Sequence, residues 1–329
     1  MRIFITGGTG FIGGRLTEKL VSQEHEIIIL SGDPTRAVVP DKVTFIKGDL
    51  FDKEALKKGM SGCDWVFHMA AFTKPWSKDP MISFRTNVTG TINVIEAAIE
   101  CKIKKVVITS TGGTMGYSKD GRPVGESTNP DPEYHTLYEK TKAEAEKIAV
   151  SYTSKGTDII IVNPTRVYGP GRLSKSNSLT RIVKLYISGL WRVMPGNGES
   201  IGNYVFIDDV VEGHILAARF GRNGGRYILG GENLSFGQLF MIIGNETGKE
   251  RRVFTLSFIT LKRIIKLTSL YSKITGMPPF ITQDWLDKYM NDWIMSSDKA
   301  VKELGYKITP FSEGIAETVK WFKTRSNGN

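Results

Sequence analysis

Three glycines put the tightest constraint on this chain. In Thr6-Gly7-Gly8-Thr9-Gly10-Phe11-Ile12-Gly13 they stand at 7, 10 and 13. The apolar, β-branched run Arg2-Ile3-Phe4-Ile5-Thr6 precedes them, and the amphipathic Arg15-Leu16-Thr17-Glu18-Lys19-Leu20 follows. A buried strand, a tight turn and a helix in that order bring backbone close to a pyrophosphate and aim a helix N-terminus at it. Glycine is required where a Cβ would block the turn, the close approach or the helix–strand packing. A ligand-free glycine turn is the bland alternative; the flanking strand and helix favour the dinucleotide. Gly7, Gly10, Phe11, Ile12 and Gly13 are the expected contacts.

The pattern then repeats. Apolar runs at 25–30, 43–50, 65–71, 105–110 and 158–163 are separated by helical stretches, including one from Asn87 to Ile99. Continuous apolar strands alternating with helices predict an α/β fold whose parallel sheet is covered on both faces. Ligands bind such sheets in the crevice at the carboxyl ends of the strands.

The tip of the second strand bears on cofactor choice. An NAD site places an acid there for the ribose hydroxyls. This strand ends Leu30-Ser31-Gly32; the nearest acid is Asp33, with Arg36 three residues beyond it. The missing carboxylate and the nearby arginine favour a 2′-phosphate, hence NADP. NAD stays open, because Asp33 can still serve as ribose ligand and Arg36 as a solvated charge.

Tyr138 and Lys142 lie four residues apart in Tyr138-Glu139-Lys140-Thr141-Lys142. On a helix they share a face, one turn apart. A free tyrosine titrates near ~10, too high for proton exchange at neutral pH. An ammonium beside the phenol oxygen is expected to favour the phenolate and lower that value. The same lysine can hydrogen-bond a nicotinamide ribose. An ordinary helix face is the alternative, and the glycine loop upstream argues against it.

Composition narrows the field. The chain has 44 basic and 34 acidic residues, a net charge of +10. A dinucleotide and small anionic molecules account for that excess without nucleic acid, since no Arg/Lys block with interleaved aromatics occurs. Cys63 and Cys101 are too few for a disulfide framework and suggest a reducing, cytoplasmic setting. His25, His68, His135 and His214 lack metal-ligand spacing, so no metal site is expected. No signal peptide or transmembrane run is expected either.

Across nearly its whole length the chain resembles an extended short-chain dehydrogenase/reductase, of the NAD-dependent epimerase/dehydratase superfamily. The segments that carry the likeness are T-G-G-T-G-F-I-G at 6–13, G-D-L at 48–50, H-M-A-A at 68–71, N-V-T-G-T at 87–91, T-S-T at 109–111, Y-E-K-T-K at 138–142, N-P-T-R-V-Y-G-P-G at 163–171 and Y-V-F-I-D-D-V at 204–210. The dihydroflavonol reductase-like and 3-beta-hydroxysteroid dehydrogenase-like branch is the most similar. The resemblance implies a Rossmann doubly wound parallel sheet with a smaller, mostly C-terminal substrate lobe. The nucleotide domain would take 1–170 and about 204–235, the lobe about 171–203 and 236–329.

By the same resemblance Asp49 and Leu50 contact the adenine, Ala70 and Ala71 line the cofactor channel, and Pro164 begins the loop beside the nicotinamide. Asn87 becomes a buried structural or proton-relay residue. Tyr138 is the general acid or base, Lys142 its support, and Thr111 the hydroxyl that orients the substrate oxygen. Gly112-Gly113 departs from the family's small-residue-plus-hydrophobic stretch, and Met115 stands where tyrosine is common, so Ser110 and Thr114 remain alternates to Thr111. The implied activity is NADP-dependent hydride transfer at a carbonyl or alcohol carbon of a small, largely apolar substrate. Alternatives are a sugar-nucleotide epimerase or dehydratase and a non-catalytic NADP-binding regulator. The epimerase-like branch carries an arginine before its Asp-Phe-Val-like strand and an asparagine before V-Y-G. Gly202 and Arg166 stand there instead, and weak binding of nucleotide-sugars is expected. A homodimer is left open.

In the second lobe, 256–271 predicts an amphipathic helix with Lys262, Arg263 and Lys266 opposite Phe258, Leu261, Ile264 and Ile265. A solvated basic face is the plain reading and a membrane surface the other. Trp76, Met81, Trp191, Trp285 and Trp293 are candidates for an apolar pocket or for core.

Overall fold

The computed structural model describes residues 1–33, 42–74, 76–128, 132–173, 177–275 and 283–326. Its first half alternates as the apolar pattern requires: β1 (Arg2–Thr6), α1 (Phe11–Ser22), β2 (Glu26–Ser31), β3 (Val43–Lys47), α2 (Lys53–Met60) and β4 (Trp65–His68). A helical run follows as α3 (Ile82–Phe84), a π-helical turn over Arg85–Thr89, and α4 (Gly90–Glu100). Then come β5 (Lys105–Thr109), a 3-10 turn over Gly112–Met115, α5 (Leu137–Ser151), β6 (Asp158–Pro164), β7 (Arg166–Tyr168) and α6 (Ser178–Ile187). The remainder comprises β8 (Val193–Pro195), β9 (Ile201–Phe206), α7 (Ile207–Phe220), β10 (Arg226–Leu229), β11 (Glu232–Ser235), α8 (Phe236–Thr247), β12 (Phe254–Leu256), α9 (Phe258–Thr275), α10 (Gln283–Tyr289), α11 (Asp298–Leu304) and α12 (Phe311–Ser326).

The main sheet has seven parallel strands in the order β10-β6-β5-β4-β1-β2-β3. Its order reverses between β1 and β4, which leaves a crevice at their carboxyl ends. Both faces are apolar, as a doubly covered sheet demands. Ile3, Ile5, Ile27 and Ile29 pack under Leu16 and Leu20 of α1 and Val210 and Ile215 of α7. Phe4, Ile28 and Val66 pack on the other side against Leu56 of α2 and Val94 of α4. Ala300, Leu304 and Tyr306, late in the chain, join the first of these cores.

A separate core gathers Tyr168, Leu179, Val183, Tyr186, Phe240, Ile243 and Phe311 around the sheet β11-β9-β7. In α9 Ile265 is buried, but Ile264, expected on its inward side, is 41% exposed. Trp293 is buried and Trp191 half-buried in apolar surroundings, whereas Met81 is exposed. The Trp285 side chain lies outside the described residues.

Candidate active site

The glycine loop connects β1 to α1 at the crevice. Gly7 has φ +74°, and a Cβ on it would lie 2.6 Å from the backbone nitrogen of Ala70. On Gly13 a Cβ would come within 2.2 Å of the Gly7 carbonyl oxygen. The Gly10 amide donates to that same oxygen at 3.0 Å. Gly10 caps α1 without a side-chain hydrogen bond, and the first turn, with Phe11 and Ile12, holds no acidic residue. The amides that a helix leaves unpaired at its start therefore face the turn with no acidic side chain of that turn to take them. A dinucleotide's pyrophosphate suits those donors and the glycine cradle under them.

The neighbouring β4 loop is fixed by polar contacts. The Ala70 amide donates to Thr6 Oγ1 at 3.3 Å, and Thr6 Oγ1 pairs with His68 Nδ1 at 2.7 Å. His68 Nε2 meets Thr91 Oγ1 at 3.0 Å. Burial, with the Lys142 ammonium nearby, pushes the imidazole down to about 3, so His68 is neutral. Ala70 and Ala71 are half-buried along this loop. Asp49 accepts from the amides of Phe51 at 2.7 Å and Asp52 at 3.2 Å, while Leu50 is buried against Gly90. Arg36 lies outside the described residues.

Helix α5 starts with a capping box. Thr136 Oγ1 accepts from the Glu139 amide at 3.2 Å, and Glu139 Oε2 accepts from the Thr136 amide at 3.1 Å. Its Oε1 takes Lys288 Nζ at 2.6 Å, so this buried carboxylate is neutralised. Tyr138 thus stands in a first turn locked on both sides. One turn on, Lys142 is only 1% exposed and has no ion pair among the described residues. Burial lowers its ammonium to about 8, with Glu146 pulling the other way.

The expected lowering of the phenol is overturned in the protein alone. Burial first, then the Glu139 and Glu146 carboxylates on the same helix, push Tyr138 up. Desolvation and the two nearby carboxylates act in the same direction.

Glu146 had no place in the sequence reading, although it continues the Tyr138–Lys142 face by one more turn. It is buried, and its Oε1 accepts from Ser110 Oγ, from Thr114 Oγ1 at 2.8 Å and from Asn163 Nδ2 at 2.7 Å. Its Oε2 pairs with Arg226 at 2.9 Å. Ser110 and Thr114 are thereby tied into the protein. Among the described residues Thr111 Oγ1 only accepts, from the Gly113 amide at 3.2 Å, which leaves its proton to donate. A Cβ on Gly112 would lie 3.1 Å from Thr165 and 3.5 Å from the Pro164 oxygen, so the Thr111 loop abuts the end of β6. Asn87 sits in the π turn and joins the Phe72 backbone to Thr141 Oγ1 at 3.0 Å.

Fold and site together define a dinucleotide-dependent oxidoreductase of the extended short-chain dehydrogenase/reductase class. The model of the NAD dependent epimerase/dehydratase family matches residues 3–230, and the chain belongs to that family. A Synechocystis sp. protein provisionally named dihydroflavonol 4-reductase is 30% identical over 97% of this chain and 94% of its own length. The 3beta-hydroxysteroid-dehydrogenase/decarboxylase isoform 1 of Arabidopsis thaliana is 26% identical over 97% of this chain and 79% of its own. Among solved structures, gox2253 superposes with a TM-score of 0.81 at 30% identity, covering 98% of each chain. The NAD complex of Thermus thermophilus UDP-glucose 4-epimerase has a TM-score of 0.78 at 25% identity, over 98% of this chain and 99% of that one. No helix among the described residues is long and apolar enough to cross a membrane.

Proposed function

We propose that this chain is an NADP-dependent carbonyl reductase or alcohol dehydrogenase acting on a small, largely apolar molecule. When bound, the nicotinamide supplies or accepts the hydride. Gly7, Gly10, Phe11, Ile12 and Gly13 hold the pyrophosphate; Asp49 and Leu50 flank the adenine; Ala70, Ala71 and Pro164 line the way to the nicotinamide. Arg36 takes the 2′-phosphate. Thr111 donates to the substrate oxygen. Tyr138, protonated because burial and two carboxylates raise its phenol, gives its proton to that oxygen as hydride reaches the carbon. Lys142 stabilises the phenolate left behind and binds the nicotinamide ribose. The lobe that holds α6, α8 and α12, packed against β7 and β9, closes the substrate side.

One observation carries this reading: a fully buried lysine without an ion pair among the described residues, one turn from a tyrosine and close to His68 at the crevice. Burying a lone ammonium costs stability. A binding module has no use for that cost, whereas a proton-transfer site does. Against a sugar-nucleotide substrate stands Gly202, beside which the Arg166 guanidinium already lies. The test is a screen of aldehydes and ketones followed by cofactor absorbance, with nucleotide-sugars as the competing arm. Oxidation of NADPH by at least one carbonyl compound supports the reading. Turnover of nucleotide-sugars alone contradicts it.

A further inference from the structure

Arg166 opens β7, two residues beyond Pro164. Its guanidinium lies 5.2 Å from the centre of the Tyr289 ring, 5.5 Å from Tyr204 and 5.9 Å from Phe236. Nη1 donates to Tyr204 Oη at 3.2 Å, its one hydrogen bond among the described residues. No carboxylate among them pairs with it. Gly202, on the adjoining strand β9, makes the room: a Cβ there would be 2.5 Å from Nη1 and 2.8 Å from Tyr204 Oη.

A guanidinium carries five donors in a rigid fork. One is used here, and no Arg166 nitrogen is sealed from solvent without a partner. Three aromatic faces fix the group without neutralising it. The nearby Lys288 spends its charge on Glu139 at 2.6 Å, so the net positive charge at this spot belongs to Arg166. A structural role alone is poorly served by such a residue, since an apolar side chain fills an aromatic box without the cost of desolvating a cation. The position fits the reaction site as well. Thr165, the preceding residue, lies where a Cβ on Gly112 would come within 3.1 Å of it, and Gly112 follows Thr111.

We propose that Arg166 recognises an anionic group, a carboxylate or a phosphate, on a substrate whose remaining body is apolar. The word substrate rests on the reductase reading; the anion site does not. Both are tested on the NADP-loaded protein. In the first arm, matched carbonyl compounds, each a free carboxylic acid and its methyl ester, are compared by kcat/KM. Wild type should favour the acids by ~10- to 100-fold, the range of a charge-assisted fork. Arg166→Met should bring the ratio near unity, and Arg166→Lys should fall between.

In the second arm, calorimetry reads binding of benzoate and of inorganic phosphate. Saturable heat with benzoate marks a carboxylate site and with phosphate a phosphate site, in either case lost in Arg166→Met. An unchanged NADPH affinity checks that the variant is folded. Should no carbonyl compound turn over while an Arg166-dependent anion binds, the reductase reading fails and the anion site stands. Wild type that treats acids and esters alike and binds neither anion overturns the proposal, as does anion binding undiminished by Arg166→Met.

Discussion

The hydroxyl of Thr114 lies 2.8 Å from Oε1 of Glu146 and 2.8 Å from the Thr111 carbonyl oxygen, and these two acceptors take its one proton. Ser110 is held by the same Glu146 oxygen. Of the three hydroxyls after β5, Thr111 is the one that donates to no acceptor among the described residues. Thr111→Val should therefore lower kcat by about 10-fold or more, the loss of one oriented hydrogen bond to substrate, while the lost acceptor for the Gly113 amide costs only about 1 kcal/mol of stability. Thr114→Val should do the reverse: it strips a buried carboxylate of a donor and costs about 1–3 kcal/mol of stability. Kinetics and thermal melts of the two variants side by side decide it. A stable, inactive Thr114→Val with an active Thr111→Val contradicts the assignment.

Lys142 is a liability to the cofactor-free fold. Its ammonium is lowered from 10.5 to about 8 because burial penalises the charge. The unfolded chain holds that proton more tightly, so below about pH 8 the folded state bears the full penalty, and it is relieved as pH rises towards 10.5. Lys142→Met should raise stability at pH 7 by about 1–4 kcal/mol. The gain should shrink through that alkaline window while turnover and cofactor affinity fall. Denaturant midpoints across pH read it; a variant destabilised at pH 7 contradicts it.

Cofactor preference is a separate matter. NADP(H) should bind more tightly than NAD(H), and Arg36→Ala should narrow the gap by roughly 1–3 kcal/mol. Fluorescence titration of both reduced cofactors measures the difference. A wild type that prefers NADH, or equal weakening of both cofactors by the substitution, removes Arg36 from the 2′-phosphate.

Nucleotide-sugars should bind weakly. Gly202 supplies no second cation for a pyrophosphate, and the space above it belongs to Arg166. Calorimetry of UDP-glucose into the NADP-loaded protein should give no tight binding. Saturation at micromolar concentration would contradict this and favour the epimerase-like alternative.

The sheet was legible because its signal is local. Ile3, Ile5, Ile27 and Ile29 announce buried strands by type, and Gly7 and Gly13 announce the turn by what a Cβ would strike. Tyr138 and Lys142 were legible by helical spacing. The Glu146 cluster was not, since Ser110 follows β5, Asn163 lies in β6 and Arg226 in β10, with no common spacing. The phenol's direction also escaped, because burial and the Glu139 and Glu146 fields are properties of the folded site. Likewise, the aromatic box around Arg166 draws on β9, α8 and α10, which only tertiary packing brings to β7.

The central claim is that the Tyr138 hydroxyl carries the proton. Tyr138→Phe removes one oxygen and keeps the ring, so fold and NADPH affinity should survive. Single-turnover reduction of a carbonyl substrate that the wild type accepts isolates the chemical step. The rate should drop by about 10²–10⁴-fold, the worth of a positioned proton donor, with the cofactor Kd unchanged. A near-normal rate in Tyr138→Phe would contradict the account and leave Tyr138 and Lys142 as neighbours on an ordinary helix face.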